Sequence, residues 1–248
     1  AIIETEPNVS IDGIPTSQEA VPMQHKAIIF DLDGTLIDSM QLWRQVDVEF
    51  LTKRGIDVPE DLFDSIPGGN GFIQTALYFK QRFGLDDSVE SIMDEWTYMV
   101  ERHYSSDVKL KAGAYDLLQS IRQSEVKIGL ATSNSLHLAQ TVLQANGILS
   151  LFSVLSTGDM HLRGKPYPDI FLNCAGLLEV EPETCIAVED TLTGVQAAKA
   201  AGMRTFAIFD EDSLPFWAQI KEVADLAFED YIMLSRQVLK ELGPEIRR

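Results

Sequence analysis

The chain has 248 residues, enough for one core domain with a modest insertion and for a substantial buried core. Lys and Arg number 20 against 38 Asp and Glu, a formal charge of −18, which argues against a nucleic-acid backbone or a membrane surface as the main partner. Hydrophobic residues at 45% exclude a disordered chain, and no apolar run approaches the roughly 18 residues that a bilayer span needs.

Residues 1–22 stand apart. Glu4, Glu6, Asp12 and Glu19 are acidic, Lys and Arg are missing, and Pro7, Pro15 and Pro22 interrupt any helix. No apolar stretch follows a basic start, so the segment is read as a flexible acidic arm and not as a secretory signal. The pattern changes at residue 23. Ala27-Ile28-Ile29-Phe30 is a short apolar run, as expected of a strand buried on both faces in a parallel sheet.

Between this strand and the next comes a long helical stretch. Trp43, Val46 and Phe50 recur at helical spacing, as do Phe72, Ala76, Phe79 and Phe83, and then Val89, Ile92, Trp96, Val100 and His103. Three amphipathic helices without a strand predict a small helical bundle inserted at residues 40–107, its aromatics forming the bundle core. Further strands are expected at 126–131, 185–188, 204–209 and 225–228. Helices are expected at 114–123, 136–146, 167–175, 193–201 and 232–241. Strands alternating with helices predict a doubly wound (Rossmann-like) α/β core made of residues 23–39 and 108–248, with ligands at the carboxyl ends of the strands.

Four places along this pattern carry chemistry. Asp31 and Asp33 leave the first strand two residues apart in Asp-Leu-Asp-Gly-Thr, where Gly34 lets the backbone turn and both carboxylates can reach one small space. One carboxylate can attack phosphorus and the other can move protons. Thr132 follows the second strand, and Ser133, Asn134 and Ser135 lead into a helix whose free N–H groups suit an anion, with plain helix capping the simpler reading. Lys165 lies in Gly-Lys-Pro-Tyr-Pro-Asp, between prolines that stiffen its loop, and can neutralise an oxyanion or simply face solvent. Glu189 and Asp190 end another strand, where hard oxygen ligands suit Mg²⁺ and acidic capping of the next helix is the alternative. His25, His103, His137 and His161 are scattered without metal-ligand spacing. Cys174 and Cys185 fit a disulfide framework no better and read as buried fillers, so a reducing, cytoplasmic setting is expected.

Taken together, DLDGT, the strand ending in Thr132, Lys165 in GKPYPD and VEDTLTGVQAA resemble the four motifs of the haloacid dehalogenase-like superfamily of Mg²⁺-dependent phosphohydrolases, over about residues 24–230. The helical insertion resembles that superfamily's C1-type cap. The resemblance implies that Asp31 is the nucleophile, forming an aspartyl-phosphate, and that Asp33 is general acid and then general base. It implies Mg²⁺ held by Asp31, the backbone carbonyl of Asp33 and Asp190, with Glu189 close by. Thr132 and Lys165 would hold the phosphoryl oxygens, with backbone N–H groups near Leu32, Asp33 and Ser133. It also implies hinge segments near Asp38 and residues 106–110, and a small phosphorylated metabolite as substrate of a monomer or small homo-oligomer.

Asp33 separates the chain from the true dehalogenases, which lack an aspartate there. The β-phosphoglucomutases are the alternative, but they resemble it less at two places. Their cap histidine twelve residues past the nucleophile is replaced by Trp43, and no Arg occurs between Gly55 and Gln81 to clamp a second phosphate. The loop Pro67-Gly68-Gly69-Asn70-Gly71 is expected to read the substrate through Gly68, Gly69 and Asn70, or else to be a plain turn.

Overall fold

The computed structural model describes residues 25–65 and 71–243. The acidic arm, residues 1–22, and the loop residues Gly68, Gly69 and Asn70 lie outside the described residues. Six parallel strands form one sheet: β1 (Ala27–Phe30), β2 (Lys127–Ala131), β3 (Val154–Ser156), β4 (Cys185–Glu189), β5 (Arg204–Ile208) and β6 (Leu226–Phe228), in the spatial order β3-β2-β1-β4-β5-β6. Strand β1 is therefore central, and the chain reverses its direction of travel across the sheet at β1, the place where open α/β sheets bind ligands.

The apolar run of β1 is buried at all four positions, and alternate residues serve opposite faces. Ile28 and Phe30 pack into a core with Leu117, Leu118 and Ile121 of α5 (Ala114–Arg122) and Leu234 and Val238 of α10 (Tyr231–Leu242). Ala27 and Ile29 pack on the other face against Phe171 and Cys174 of α7 (Asp169–Leu178) and Ala197 and Ala198 of α8 (Leu192–Ala200). Burial of side chains the size of Ile or Phe contributes about 1.5–3 kcal/mol each, which is why this strand has no polar position. Helix α7 approaches so closely that a Cβ on Gly129 would lie 2.6 Å from Cys174 Sγ. Cys174 is thus a packing residue.

Among the described residues four helices lie between β1 and α5: α1 (Met40–Lys53), the short α2 (Leu62–Ser65), α3 (Phe72–Phe83) and α4 (Val89–Ser106). Phe50, Phe79 and Trp96 form an edge-to-face cluster among them, with ring centroids 5.1–6.0 Å apart. Arg54 closes the rim, stacked 3.8 Å from the Phe50 ring centroid and bonded to Asp87 and Glu95. On α4 the buried stripe is Ile92, Trp96, Val100 and Tyr104; His103 instead faces outward beside Asp107. A four-residue step advances the stripe by about 40° each time, so it winds from α1 and α3 toward α6 (Leu136–Ala145), against which α4 also packs. The two connections to this helical segment run side by side: Ile37 and Leu110 form an antiparallel bridge, and Asp38 N–H donates to Lys109 O at 3.1 Å.

Three short features have no counterpart in the sequence expectations: α2, the edge strand β3 and α9 (Trp217–Val223), which follows a 3₁₀ segment at Glu211–Phe216. Helix α7 starts at Asp169, two residues later than its pattern suggests, because Tyr167 N–H closes a turn onto Gly164 O before Pro168. Among the described residues no helix is long and apolar enough to cross a membrane.

Candidate active site

Strand register brings the chemistry together. Phe30 pairs with Leu130 of β2 on one side and Val188 of β4 on the other, so Asp31, Thr132 and Glu189-Asp190 emerge from three adjacent strands at the same edge. Lys165 reaches in from the loop before α7. Asp31, Thr132, Lys165, Glu189 and Asp190 are all buried.

Lys165 is only 2% exposed, and its ammonium bridges two carboxylates: it donates to Asp31 Oδ1 at 2.7 Å and makes a second short bond to Glu189 Oε1. Glu189 Oε2 accepts from the backbone N–H groups of Asp190 at 2.9 Å and Thr191 at 3.1 Å, and from the Thr191 hydroxyl. The Glu189 carboxylate is thereby fixed at the start of α8, in a space so tight that a Cβ on Gly194 would fall 2.0 Å from it. Burial works against the Lys165 ammonium, but the facing Asp31 and Glu189 charges outweigh it and hold its pKa above the usual lysine range.

Asp190 has one satisfied oxygen and one bare one. Thr35 Oγ1 donates to Asp190 Oδ1 at 2.7 Å, Tyr231 in turn donates to Thr35 O, and Asp190 Oδ2 is buried with no hydrogen-bond partner. Burial, then the charges of Glu189, Asp31 and Asp210, push the Asp190 carboxyl well above the carboxylate range. Burial likewise raises Asp31 to about 8, the neighbouring Lys165 ammonium pulling the other way. Oxygens of Asp31, Glu189 and Asp190 all lie within 4.8 Å of one another. One lysine does not neutralise this group, and an orphaned carboxylate oxygen beside a second carboxylate fits a hard divalent cation.

Gly34 shapes that space. Its φ is +80°, and a Cβ there would sit 2.4 Å from Asp190 Oδ2. The loop needs a left-handed residue and no side chain at once. Gly34→Ala is therefore expected to destabilise the fold by about 1–3 kcal/mol and to weaken divalent-ion binding, as read by urea unfolding with and without the cation. An unchanged midpoint in both would contradict it.

Asp33 sits in a cage of donors. Ser39 Oγ donates to its Oδ1 at 2.6 Å, Trp43 Nε1 at 3.0 Å, and the Tyr104 hydroxyl through a short bond; Asn134 Nδ2 donates to Oδ2 at 3.0 Å. Trp43 lies on α1 and Tyr104 on α4, so the helical segment supplies two of these four donors, and Ser39 stands at its entry just before α1. Burial, then the Asp33 charge, lifts the Tyr104 phenol well above its ordinary value, which keeps it a donor. The sequence alone does not single out Ser39, Tyr104 or Asn134 for this place, and its periodicity puts Trp43 in the bundle core.

Thr132 Oγ1 accepts from Asn134 N–H at 3.1 Å, and Ser135, not Ser133, caps α6 by accepting from Leu138 N–H. Leu32 is fully buried, and its carbonyl accepts from the N–H groups of Leu36 at 2.8 Å and Ile37 at 3.1 Å. Ser133 O accepts from Phe72 N–H at 2.8 Å, tying the start of α3 to the sheet edge. The loop after β5 supports the other side: Ser213 Oγ donates to Asp190 O at 2.6 Å, and Lys111 pairs with Asp210 at 2.7 Å. A cavity of about 460 Å³ opens over all of this, with Asp31, Asp33, Thr132, Ser133, Lys165 and Asp190 at one end and residues of α1, α3 and α4 at the other.

The chain is similar to known proteins in sequence and in fold. A family model described as a haloacid dehalogenase-like hydrolase matches residues 25–202. Hexitol phosphatase B of Escherichia coli K12 is 29% identical over 198 residues, covering 76% of this chain and 86% of that protein. A phosphorylated carbohydrates phosphatase of Thermotoga maritima is 31% identical over 183 residues, covering 72% and 82%. The crystal structure of CbbY from Rhodobacter sphaeroides in complex with phosphate superimposes with a TM-score of 0.75 at 25% identity, covering 85% of this chain and 96% of that one.

Proposed function

The chain belongs to the haloacid dehalogenase-like hydrolases and is a phosphoric monoester hydrolase, and on that premise we propose that it cleaves a small phosphorylated metabolite in two steps through an aspartyl-phosphate on Asp31, with Mg²⁺ bound. The observation that carries the reading is the convergence of Asp31, Thr132, Lys165 and Asp190 on one buried sheet edge, with Asp33 poised over it. Two relatives, a hexitol phosphatase and a phosphorylated carbohydrates phosphatase, support the substrate class.

In the first step a carboxylate oxygen of Asp31 attacks phosphorus, the bond from phosphorus to the ester oxygen breaks, and Asp33 gives its proton to the departing alcohol. In the second, Asp33 takes a proton from water as the water oxygen attacks phosphorus, the bond to Asp31 breaks, and inorganic phosphate leaves. Lys165 orients Asp31 and offsets charge on the phosphoryl oxygens, and Thr132 donates to one of them. Asp31, Asp190 and the Asp33 carbonyl would hold the Mg²⁺, which supplies positive charge beside the phosphoryl group. Glu189 serves by holding Lys165, since both its oxygens are already engaged.

The donor cage keeps Asp33 at the place where its proton is given up and recovered. Asp33→Asn is expected to lower kcat by about 10²–10⁴-fold while the thermal midpoint stays close to that of the parent. An unchanged rate would remove Asp33 from this role. The helical segment, residues 40–107, acts in this proposal as a cap hinged near Asp38 and residues 106–110, excluding water from the acyl phosphate. The proposal also includes a cytoplasmic setting, supported by the free, buried thiols of Cys174 and Cys185.

A mutase would need a second phosphate clamp in the cavity. Trp43 stands at the histidine position and donates to Asp33, and Arg44 is already committed to Asp212 at 2.9 Å and stacked on Phe63. Hydrolysis of p-nitrophenyl phosphate, followed with Mg²⁺, after chelation and after Mg²⁺ is restored, tests the hydrolytic reading. Phosphate release is expected to stop on chelation and to return; the same rate throughout would contradict it.

A further inference from the structure

The phosphoryl end of the cavity is accounted for, and the opposite end is not. It is walled by Trp43, Phe63, Phe72 and Trp96, and it holds the Asp47 carboxylate beside the paired Arg44 and Asp212. Asp47 lies four residues after Trp43 and three before Phe50 on α1, so all three share one face of the helix. Their neighbours are the rings of Phe72, 6.2 Å from Trp43, and Trp96, 5.5 Å from Phe50 and 5.9 Å from Phe72. Asp47 thus stands half-buried against an aromatic wall.

Among the described residues no hydrogen bond or ion pair is found to the Asp47 carboxyl, and burial alone pushes it up to about 7. Its neighbour Arg44 is no partner, being bonded to Asp212. An unpaired carboxyl against aromatic rings opposes folding, so a ligand that satisfies it would bind with a gain the free protein lacks.

The unpaired carboxyl selects the ligand. A hydroxyl can donate to it, while the aromatic faces take the C–H surface of a carbon chain. A quaternary ammonium has no hydrogen to donate to the carboxyl. A second phosphate would be repelled by Asp47. We propose that Asp47 is a specificity-determining residue that accepts a hydrogen bond from a hydroxyl of the leaving group, so that the preferred substrates are monophosphates of polyhydroxylated alcohols and not bisphosphates or esters of plain alcohols. This inference rests on the phosphatase reading above and deepens it.

The test is the ratio of kcat/KM for sorbitol 6-phosphate to that for p-nitrophenyl phosphate, measured with Mg²⁺ for the parent, Asp47→Ala and Asp47→Asn. Asp47→Ala is expected to lower the ratio about 10- to 100-fold, mainly through KM for the hexitol ester, with Asp47→Asn between it and the parent. Both variants are expected to fold, since the change removes an unpaired carboxyl, and a thermal melt verifies it. A ratio that does not move in either variant overturns the assignment. So does a parent enzyme that hydrolyses p-nitrophenyl phosphate but not the hexitol ester, and that result leaves the phosphatase reading standing. A parent that hydrolyses neither ester overturns both.

Discussion

Asp31→Asn is expected to abolish turnover, by about 10⁴-fold or more in kcat, while leaving the fold intact. The amide cannot displace an alcohol from phosphorus, and no other carboxylate takes its place: Glu189 is held by Lys165 and two backbone N–H groups, and Asp190 is anchored by Thr35. Stability should change little. The substitution weakens a buried ion pair with Lys165, but it also removes a carboxylate that burial disfavours, and Lys165 keeps Glu189. Steady-state phosphate release and a urea melt check the two halves. Activity near the parent level would refute the nucleophile assignment.

Lys165→Met is expected to produce the largest loss of stability. It leaves Asp31 and Glu189 buried and facing each other without the ammonium that joins them, and breaking such a group from one side costs about 3–5 kcal/mol. The loss has a pH signature. Asp31 already has a raised pKa, and removing Lys165 takes away the charge that was lowering it. An acid whose folded pKa exceeds its unfolded value favours the folded state at low pH and loses that advantage as pH rises toward the folded value. Below about pH 8 Asp31 holds its proton in both folded proteins and the two lose stability in parallel; above it the parent levels off while the variant keeps falling, so the gap should widen there. Urea unfolding from acid to well above that pH reads the difference; a gap that stays constant above about pH 8 would contradict it.

Much of this site was legible in the sequence because its residues directly follow buried strands. Ala27–Phe30 can only be a strand covered on both faces, so Asp31 had to leave the sheet at its ligand-binding edge. Lys165 needed the motif: nothing local distinguishes it from a surface lysine, and its burial comes from two carboxylates contributed by β1 and β4. The donors around Asp33 were harder. Ser39, Trp43, Tyr104 and Asn134 are spread over nearly a hundred positions, and each has an ordinary local role as cap, core ring or turn residue. A strictly periodic reading of α4 picks His103, because it assumes one burying partner, whereas the helix changes partners along its length and buries Tyr104. Strand β3 has three residues and α9 seven, both too short for a period to register. Asp47 carried no sequence signal, since a lone acid on an amphipathic helix is ordinarily solvated; only the surrounding rings single it out.

The central claim is that a phosphoryl group passes through a covalent bond to Asp31. Acid-quenching the enzyme during turnover with a phosphomonoester, followed by peptic digestion and mass spectrometry, tests it directly. The peptide containing Asp31 should appear with one added phosphoryl group, sited on Asp31 by fragmentation and lost in Asp31→Asn. Phosphate attached at a different residue, or steady hydrolysis with Asp31 unmodified at every quench time, would contradict it.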